Sequence, residues 1–279
     1  MNARLKGPIA VRATLPAMRP ELAPLAAPDA RAGVFLDFDG TLSEIVPVVS
    51  DARPLPDARA LLERLGATVA LVAVVSGRSA HELVEWLGPA VEIWGVHGAE
   101  HSIDGRVEFA EELRPHIPLM ERVRREARAA VDALGVDGIA VEDKRVVVTL
   151  HYRTARDPLV ASGVVEGIAE DLAVRHGLVV EPGRASVELR PPVPLSKGAV
   201  VRRIVSQHGL TAALFAGDDT GDLPAFQALD ELAAEGLRAV KVAVRSEESP
   251  PGLLASADLV VDGPRGVLAL LDELTEGAA

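Results

Sequence analysis

The chain of 279 residues contains no cysteine, few aromatic residues and no long uninterrupted apolar run. The lack of cysteine excludes disulfides, thiolate catalysis and zinc–thiolate sites, and it fits the reducing cytoplasm, where we expect the protein to act. Because aromatic residues make up only 3% of the chain, the core must be built from Val, Leu, Ala and Ile. No apolar stretch is long enough to span a bilayer, so no membrane association is expected.

Positive charge is also scarce, with 29 Lys and Arg against 41 Asp and Glu, which gives a net charge of −12. Such a balance argues against a nucleic-acid partner, and any anionic substrate would need a local source of positive charge. The first 30 residues contain five prolines among many alanines. We therefore predict that residues 1–30 form a poorly ordered tail or a loose strap.

Two stretches of the chain alternate short apolar runs with helical patterns, at residues 31–107 and 192–279. This rhythm predicts an α/β domain with a doubly wound parallel sheet. Between them, residues 108–191 show the order helix, strand, strand, helix, strand, strand, which predicts an inserted α+β domain. The proline-rich segment Pro191–Pro194 is a stiff connector and indicates a domain boundary.

Three of the predicted parallel strands end in polar clusters, which should converge because ligands bind beyond the carboxyl ends of such strands. An acidic cluster without a cation would repel itself, whereas oxygen ligands on short loops suit Mg²⁺. A calcium loop is excluded because Leu42 occupies the position where that loop needs glycine. The clusters are Asp37 with Asp39, then Ser76, and lastly Asp218, Asp219 and Asp222.

A carboxylate can also be the nucleophile of phosphoryl transfer, provided that a second acid protonates the leaving oxygen. Asp37 and Asp39 could supply such a pair. Positive charge and hydroxyls for the phosphate oxygens could come from Lys197, Thr41 and Ser76. Taken alone, however, each acidic cluster could be a capped turn, and Lys197 could be a surface lysine.

Four motifs in order resemble those of the haloacid dehalogenase superfamily of phosphatases, and further matches resemble its trehalose-6-phosphate phosphatases. The four are Asp37-Phe38-Asp39-Gly40-Thr41, Ser76-Gly77-Arg78, Lys197-Gly198 and Gly217-Asp218-Asp219 with Asp222. The further matches are Gly95-Val96-His97-Gly98-Ala99-Glu100, Glu142-Asp143-Lys144, His151-Tyr152-Arg153 and Glu188-Leu189-Arg190-Pro191. In the fourth motif, Gly221 and Leu223 replace the Thr and Glu usual in that family, a difference that bears on fine sugar specificity.

The resemblance implies a Rossmann-like haloacid dehalogenase core with an inserted α+β cap. It also implies Mg²⁺-dependent hydrolysis of trehalose-6-phosphate to trehalose and phosphate through an aspartyl-phosphate. By this resemblance Asp37 is the nucleophile and Asp39 the general acid/base. The implied metal ligands are Asp37, Asp39 through its carbonyl, and Asp218, supported by Asp222 or Asp219, and the implied phosphate ligands are Thr41, Ser76, Gly77 and Lys197.

The predicted cap strands carry charged residues two positions apart, which would share one face of a sheet. Charged groups that form several hydrogen bonds suit the hydroxyls of a disaccharide. Without the resemblance, a plain solvated sheet face is an equal interpretation. The expected sugar-contacting residues are Glu142, Lys144, His151, Arg153, Glu188 and Arg190 in the cap, and His97 near the hinge.

Other functions remain open from the sequence. They are a phosphatase for another sugar phosphate such as sucrose phosphate or mannosyl-phosphoglycerate, a sugar phosphomutase, and a catalytically weak phospho-sugar sensor. We expect a cytoplasmic monomer that binds a small sugar phosphate and is linked functionally to a trehalose-6-phosphate synthase.

Overall fold

The computed structural model describes residues 18–277, which form two sheets with helices around them. The strands are β1 (Ala32–Leu36), β2 (Leu71–Val75), β3 (Glu92–Gly95), β4 (Glu100–Ile103), β5 (Arg106–Phe109), β6 (Ala140–Asp143), β7 (Val148–His151), β8 (Val179–Gly183), β9 (Ser186–Arg190), β10 (Ala212–Gly217), β11 (Arg238–Arg245) and β12 (Leu259–Asp262). The helices are α1 (Ala23–Ala26), α2 (Ala58–Leu65), α3 (Ala80–Leu87), α4 (Ile117–Leu134), α5 (Pro158–His176), α6 (Lys197–His208), α7 (Leu223–Ala234), α8 (Pro251–Ser256) and α9 (Gly263–Gly277).

The larger sheet has the strand order β12-β11-β10-β1-β2-β3-β4-β5. Its first six strands in that order are parallel, and the β4–β5 hairpin continues it in antiparallel fashion at one edge. One hydrophobic cluster joins the sheet to α2, α3 and α9, and a second joins its other face to α6, α7 and α8. Because helices cover both faces, β1 and β10 are buried along their whole length. The predicted doubly wound α/β core is confirmed.

The smaller sheet is antiparallel, with the order β6-β7-β9-β8, and it lies between β5 and α6 in the chain. Its apolar face packs on α4 and α5 in a separate hydrophobic cluster that includes Met120, Val165 and Leu189. Alternation along the strands leaves the opposite face charged, and this face is turned towards the larger sheet. We refer to this inserted unit as the cap.

A fourth hydrophobic cluster joins the cap and the core near their connections. It contains Val96 and Ala99 from the core together with Val146 and Val147 from the cap. Since this packing is shared, the exact limits of the cap at residues 108 and 191 stay a prediction.

The structure differs from the sequence prediction at three places. Residues 20–26, assigned to the tail, form a 3₁₀ turn and α1, because Leu22 and Leu25 are buried against the core. The dipeptide Pro182-Gly183 predicts a turn between two cap strands, but the turn lies two residues later, at residues 184–185, since β8 pairs with β9 as far as Gly183. Helix α8 was not predicted. Residues 1–17 lie outside the described part of the chain.

None of the helices found between residues 18 and 277 combines the length and the apolar character that crossing a membrane would require.

Candidate active site

A cavity of about 380 Å³ lies between the carboxyl edge of the parallel sheet and the charged face of the cap. The structure therefore brings the predicted catalytic and sugar-contacting residues to one place. From the core the lining includes Asp37, Asp39, Ser76, Gly77, His97, Lys197, Asp218 and Asp219, and from the cap it includes Glu142, Lys144, His151, Arg153 and Glu188.

Three buried carboxylates meet where β1 and β10 end side by side. One oxygen each from Asp37, Asp218 and Asp222 lies within 4.8 Å of the others. The Nζ of Lys197, at the start of α6, is 2.8 Å from Asp37 Oδ1 and 2.7 Å from Asp222 Oδ1. The second oxygen of Asp222 accepts the backbone N–H groups of Asp218 and Asp219. Lys197 is thus a buried charge partner, not a surface lysine.

The electrostatics of this cluster favour a bound cation. Burial and the neighbouring Asp222 raise the pKa of Asp218 to about 7. Burial also raises the pKa of Asp37 well above its usual range, although Lys197 acts in the opposite direction. Lys197 is itself buried, yet Asp222 and Asp37 hold its pKa well above that of a free lysine. The two positive charges near the cluster, those of Lys197 and of Arg184 from the cap, do not neutralise three carboxylates, so the site has an excess of negative charge.

The donor set fits a divalent metal ion bound through oxygen. Gly40 makes room for the carboxylate of Asp218 in this cluster, because a Cβ on this residue would lie 2.2 Å from Asp218 Oδ2. Asp219 is used differently from the expectation, since its carboxylate accepts the N–H of Gly221 and caps the turn before α7. It lines the cavity but is not part of the carboxylate cluster.

The carboxylate of Asp39 is held by Arg78, to which the sequence analysis assigned no role. The guanidinium donates from Nε and Nη2 to the two oxygens, at 2.8 Å each, and also to the carbonyl of Val49. It lies 5.4 Å from the ring centroids of both Phe38 and Trp86. Arg78 is 5% exposed, whereas the side chain of Asp39 is 44% exposed. The sequence did contain a signal for this role. Arg78 is a positive charge in a motif at the end of a predicted strand, in a chain with an excess of acidic residues.

The predicted phosphate ligands do not all reach the cavity. Ser76 and Gly77, after β2, line it, as does Lys197. Thr41, by contrast, is fully buried outside the lining, and its hydroxyl has no hydrogen-bond partner within residues 18–277. The turn after Asp39 directs this side chain into the protein, and its contact with phosphate stays a prediction.

Glu188 is the centre of the cap face. Its Oε1 accepts from Lys144 Nζ at 2.9 Å and from Thr149 Oγ1 at 3.1 Å, and its Oε2 is 3.4 Å from His97 Nε2. Burial would raise the pKa of Glu188, but Lys144 and His97 hold it well below its usual range. The sequence analysis missed Thr149, which lies within an apolar run and reaches Glu188 only through cross-strand pairing.

The remaining cap residues divide into two groups. Glu142 and His151 form a pair at 2.7 Å in the cavity wall. Arg190 does not line the cavity formed by the described residues, because its guanidinium donates to Glu181 and to the carbonyl of Val193. These contacts hold Arg190 outside the cavity wall, and its contact with the sugar stays a prediction. Its role here is to tie the end of β9 to the returning chain.

A second cap–core contact involves Arg184, in the turn between β8 and β9. Its Nη2 donates to Asp218 Oδ2 at 3.0 Å, and its Nε lies 3.5 Å from Glu248. Arg153 is 3.9 Å from the same Glu248. Neither Arg184 nor Glu248 was predicted, because their proximity to the site depends on how the cap packs on the core.

The fold is that of the haloacid dehalogenase-like hydrolases. A solved hydrolase of this kind from Bacteroides thetaiotaomicron is similar with a TM-score of 0.58 at 15% identity, over 87% of this chain and 99% of that chain. More narrowly, a family profile described as Trehalose-phosphatase matches residues 35–253, and the chain belongs to this family.

Two relatives show how far the similarity extends. The trehalose-phosphate phosphatase of Mycobacterium marinum is 34% identical over 226 residues, which are 78% of this chain and 55% of the relative. The chain thus spans about half the length of the curated relatives it matches. The C-terminal domain of C. albicans trehalose-6-phosphate phosphatase has a TM-score of 0.74 at 23% identity, over 93% of this chain and 98% of that domain.

Proposed function

We propose that the protein hydrolyses trehalose-6-phosphate to trehalose and phosphate. The observation that carries this proposal is the arrangement of one cavity, with a carboxylate–lysine cluster on the core side and the hydrogen-bonding network around Glu188 on the cap side. The first group suits a phosphate and the second suits sugar hydroxyls. Family membership and the named relatives support the same substrate.

The proposed reaction has two steps. In the first, a carboxylate oxygen of Asp37 bonds to phosphorus while the bond from phosphorus to the sugar oxygen breaks, and Asp39 gives its proton to that oxygen. In the second, Asp39 takes a proton from water, which attacks the aspartyl-phosphate and releases phosphate. Arg78 orients Asp39 for both transfers, and Lys197 and Ser76 hold the phosphate oxygens.

We propose Mg²⁺ as the metal, because the cluster offers only carboxylate oxygens. When bound, Mg²⁺ would neutralise negative charge on the transferring phosphate. Asp37 and Asp218 would hold it, with the carbonyl of Asp39 as the family resemblance implies. Asp222 supports them instead, since Lys197 and two backbone amides already occupy its oxygens.

The cap would exclude water and select the sugar. We propose Glu188, Lys144, Glu142, His151, Arg153 and His97 as the residues that contact it. A cytoplasmic location, a monomeric state and a functional link to a trehalose-6-phosphate synthase belong to the same proposal.

The test separates sugar recognition from phosphate chemistry. Phosphate release is measured from a panel of sugar phosphates and from para-nitrophenyl phosphate, with and without Mg²⁺. We expect trehalose-6-phosphate to be the best substrate and EDTA to abolish turnover. Glu188→Ala should lower kcat/KM for trehalose-6-phosphate about tenfold to a hundredfold, with little change for para-nitrophenyl phosphate.

Asp143→Ala is a suitable control. Asp143 lies on β6 of the same sheet, but it pairs with Arg124 outside the cavity. This variant should leave both substrates unaffected. Equal losses on the two substrates in Glu188→Ala would contradict sugar contact, and faster turnover of another sugar phosphate would replace trehalose-6-phosphate in the proposal.

A further inference from the structure

Glu100 is a buried carboxylate that the proposed reaction does not use. It begins β4, is 2% exposed, and does not line the cavity between core and cap. Its Oε2 accepts from the backbone N–H of Ala80 at 2.7 Å and from Ser79 Oγ at 3.1 Å. Both donors stand where the chain passes from β2 into α3. Burying a carboxylate costs free energy unless hydrogen-bond donors surround it, so the position of Glu100 calls for an explanation.

Residues 76–79, the Ser76 loop, connect β2 with α3. This loop places Ser76 in the cavity wall. It also carries Arg78, whose guanidinium donates hydrogen bonds to Asp39. Two carbonyls of this loop accept hydrogen bonds from the segment that leads to Glu100. The carbonyl of Ser76 accepts from the N–H of His97 at 3.0 Å, and the carbonyl of Arg78 accepts from the N–H of Val96 at 2.8 Å. With the two bonds to Glu100, residues 95–100 hold the loop along its length.

The contact between loop and segment is close and strained. A Cβ on Gly95 would lie 2.4 Å from the amide nitrogen of Ala80 and 2.7 Å from the carbonyl oxygen of Arg78. Val96 and His97 both have positive φ, 49° and 54°, which is unfavourable for a β-branched residue such as Val96. Strain of this kind persists only where the surroundings impose it. The bonds to Glu100 lie at the end of this strained turn and help to impose it.

We propose that Glu100 is a positioning residue, which acts through the Ser76 loop to set the affinity of the site for phosphate and the orientation of Asp39. This inference rests on the proposed function for the reaction that the loop serves. Without the carboxylate, the N–H of Ala80 and the hydroxyl of Ser79 lose their buried acceptor, and the strained turn loses one of its restraints. The loop then shifts relative to the cavity together with His97, whereas the cap side chains Lys144 and Thr149 keep their hydrogen bonds to Glu188.

The experiment compares the inhibition constants of the two products, inorganic phosphate and trehalose, with para-nitrophenyl phosphate as substrate. In Glu100→Ala the constant for phosphate should rise about tenfold, as expected for loss of a charge-assisted hydrogen-bonding group. The constant for trehalose should rise less, by about threefold at most, because His97 alone among the proposed sugar-contacting residues belongs to this turn. Glu100→Gln keeps an acceptor for Ala80 and should restore part of the phosphate affinity.

Glu92→Gln is the matched control. Glu92 is also a buried carboxylate, on the neighbouring strand β3, but it accepts from the indole of Trp94 and lies near His208, away from the Ser76 loop. It should change neither constant. A lowered melting temperature with both constants unchanged in Glu100→Ala, or an equal rise of both, would overturn the proposal. If Glu100→Ala does not fold, Glu100→Gln decides by the same criterion. If trehalose does not inhibit the unmodified protein, the proposed substrate fails, and the constant for phosphate still decides the role of Glu100.

Discussion

At the scale of single residues, the chemistry depends on what each carboxylate contacts. Asp37, Asp218 and Asp222 are buried together, so burial and mutual repulsion raise the pKa values of all three. Asp39 lies more exposed and is fixed by Arg78. Aspartate side chains thus serve two purposes in this cavity. The buried cluster suits metal binding and nucleophilic attack, and the more exposed Asp39 suits proton transfer.

Asp37 should be the residue whose loss is most severe. Asp37→Asn keeps the shape of the side chain and its place beside Lys197 but removes the attacking charge. We expect kcat to fall at least roughly a thousandfold, as for other covalent nucleophiles. A single-turnover assay would show no phosphorylated protein in the variant. Near-normal turnover would contradict the aspartyl-phosphate mechanism.

The raised pKa of Asp218 predicts a pH-dependent stability of the metal-free protein. The carboxyl has a pKa of 3.8 when unfolded and about 7 when folded, so between these values the folded state binds more protons. This contribution to stability is complete below about pH 4 and is lost as the pH rises through about 7.

Melting temperatures in EDTA should therefore fall between pH 5 and pH 8, and saturating Mg²⁺ should reduce the fall because it binds the ionised carboxylates. In Asp218→Asn the fall should be smaller. An unchanged slope in that variant would assign the effect to other groups.

At the scale of elements, the turn between β8 and β9 brings a cap arginine onto the metal cluster. Arg184 contacts Asp218 and also lies near Glu248. Its charge opposes that of a cation at the same carboxylates. Removing one partly exposed charge of this kind changes the free energy of binding by about 1 kcal/mol, which is about fivefold in affinity.

Arg184→Gln should therefore bind Mg²⁺ several-fold more tightly in isothermal titration calorimetry. Arg153→Gln serves as a control, since Arg153 lines the same cavity and approaches Glu248 but has no contact with Asp218. Weaker Mg²⁺ binding in Arg184→Gln would show instead that Arg184 orients Asp218 for the metal.

At the scale of the whole molecule, the cap has its own hydrophobic core, and several of its contacts with the catalytic side are ionic. We propose that the two chain crossings, near Phe109 and at Pro191–Pro194, act as a hinge. We expect the cap to move as a near-rigid unit. High salt should screen the ion pairs and increase the radius of gyration in small-angle scattering.

Addition of Mg²⁺ with a phosphate mimic and trehalose should reverse this expansion, because these ligands bridge the two sides of the cavity. Glu248→Gln, which removes the ion pairs with Arg153 and Arg184, should open at lower salt. Scattering that stays the same under all of these conditions would count against the hinge.

Local patterns in the sequence predicted most of the helices and strands, though not α1 or α8, and they placed the candidate catalytic residues at the ends of parallel strands. Apolar runs that end in Asp37, Ser76 and Asp218 predict parallel strands with polar ends, and parallel strands necessarily place those ends along one edge. Alternation along β9 likewise indicates that Glu188 belongs to the polar face of its sheet. These features follow from the periodic spacing of apolar residues or from the order of motifs in the chain, and neither requires coordinates.

Only the tertiary structure decided which side chains meet. Arg184 reaches Asp218 across the cavity, 34 positions away in the chain, and Thr149 reaches Glu188 within the cap sheet, 39 positions away. Thr41 and Arg190 follow the expected patterns, yet the packing turns both of them away from the cavity. Local sequence determines the backbone conformation and the face of each residue. The direction in which a long side chain finds its partner depends on the docking of cap and core, which no short stretch of sequence encodes.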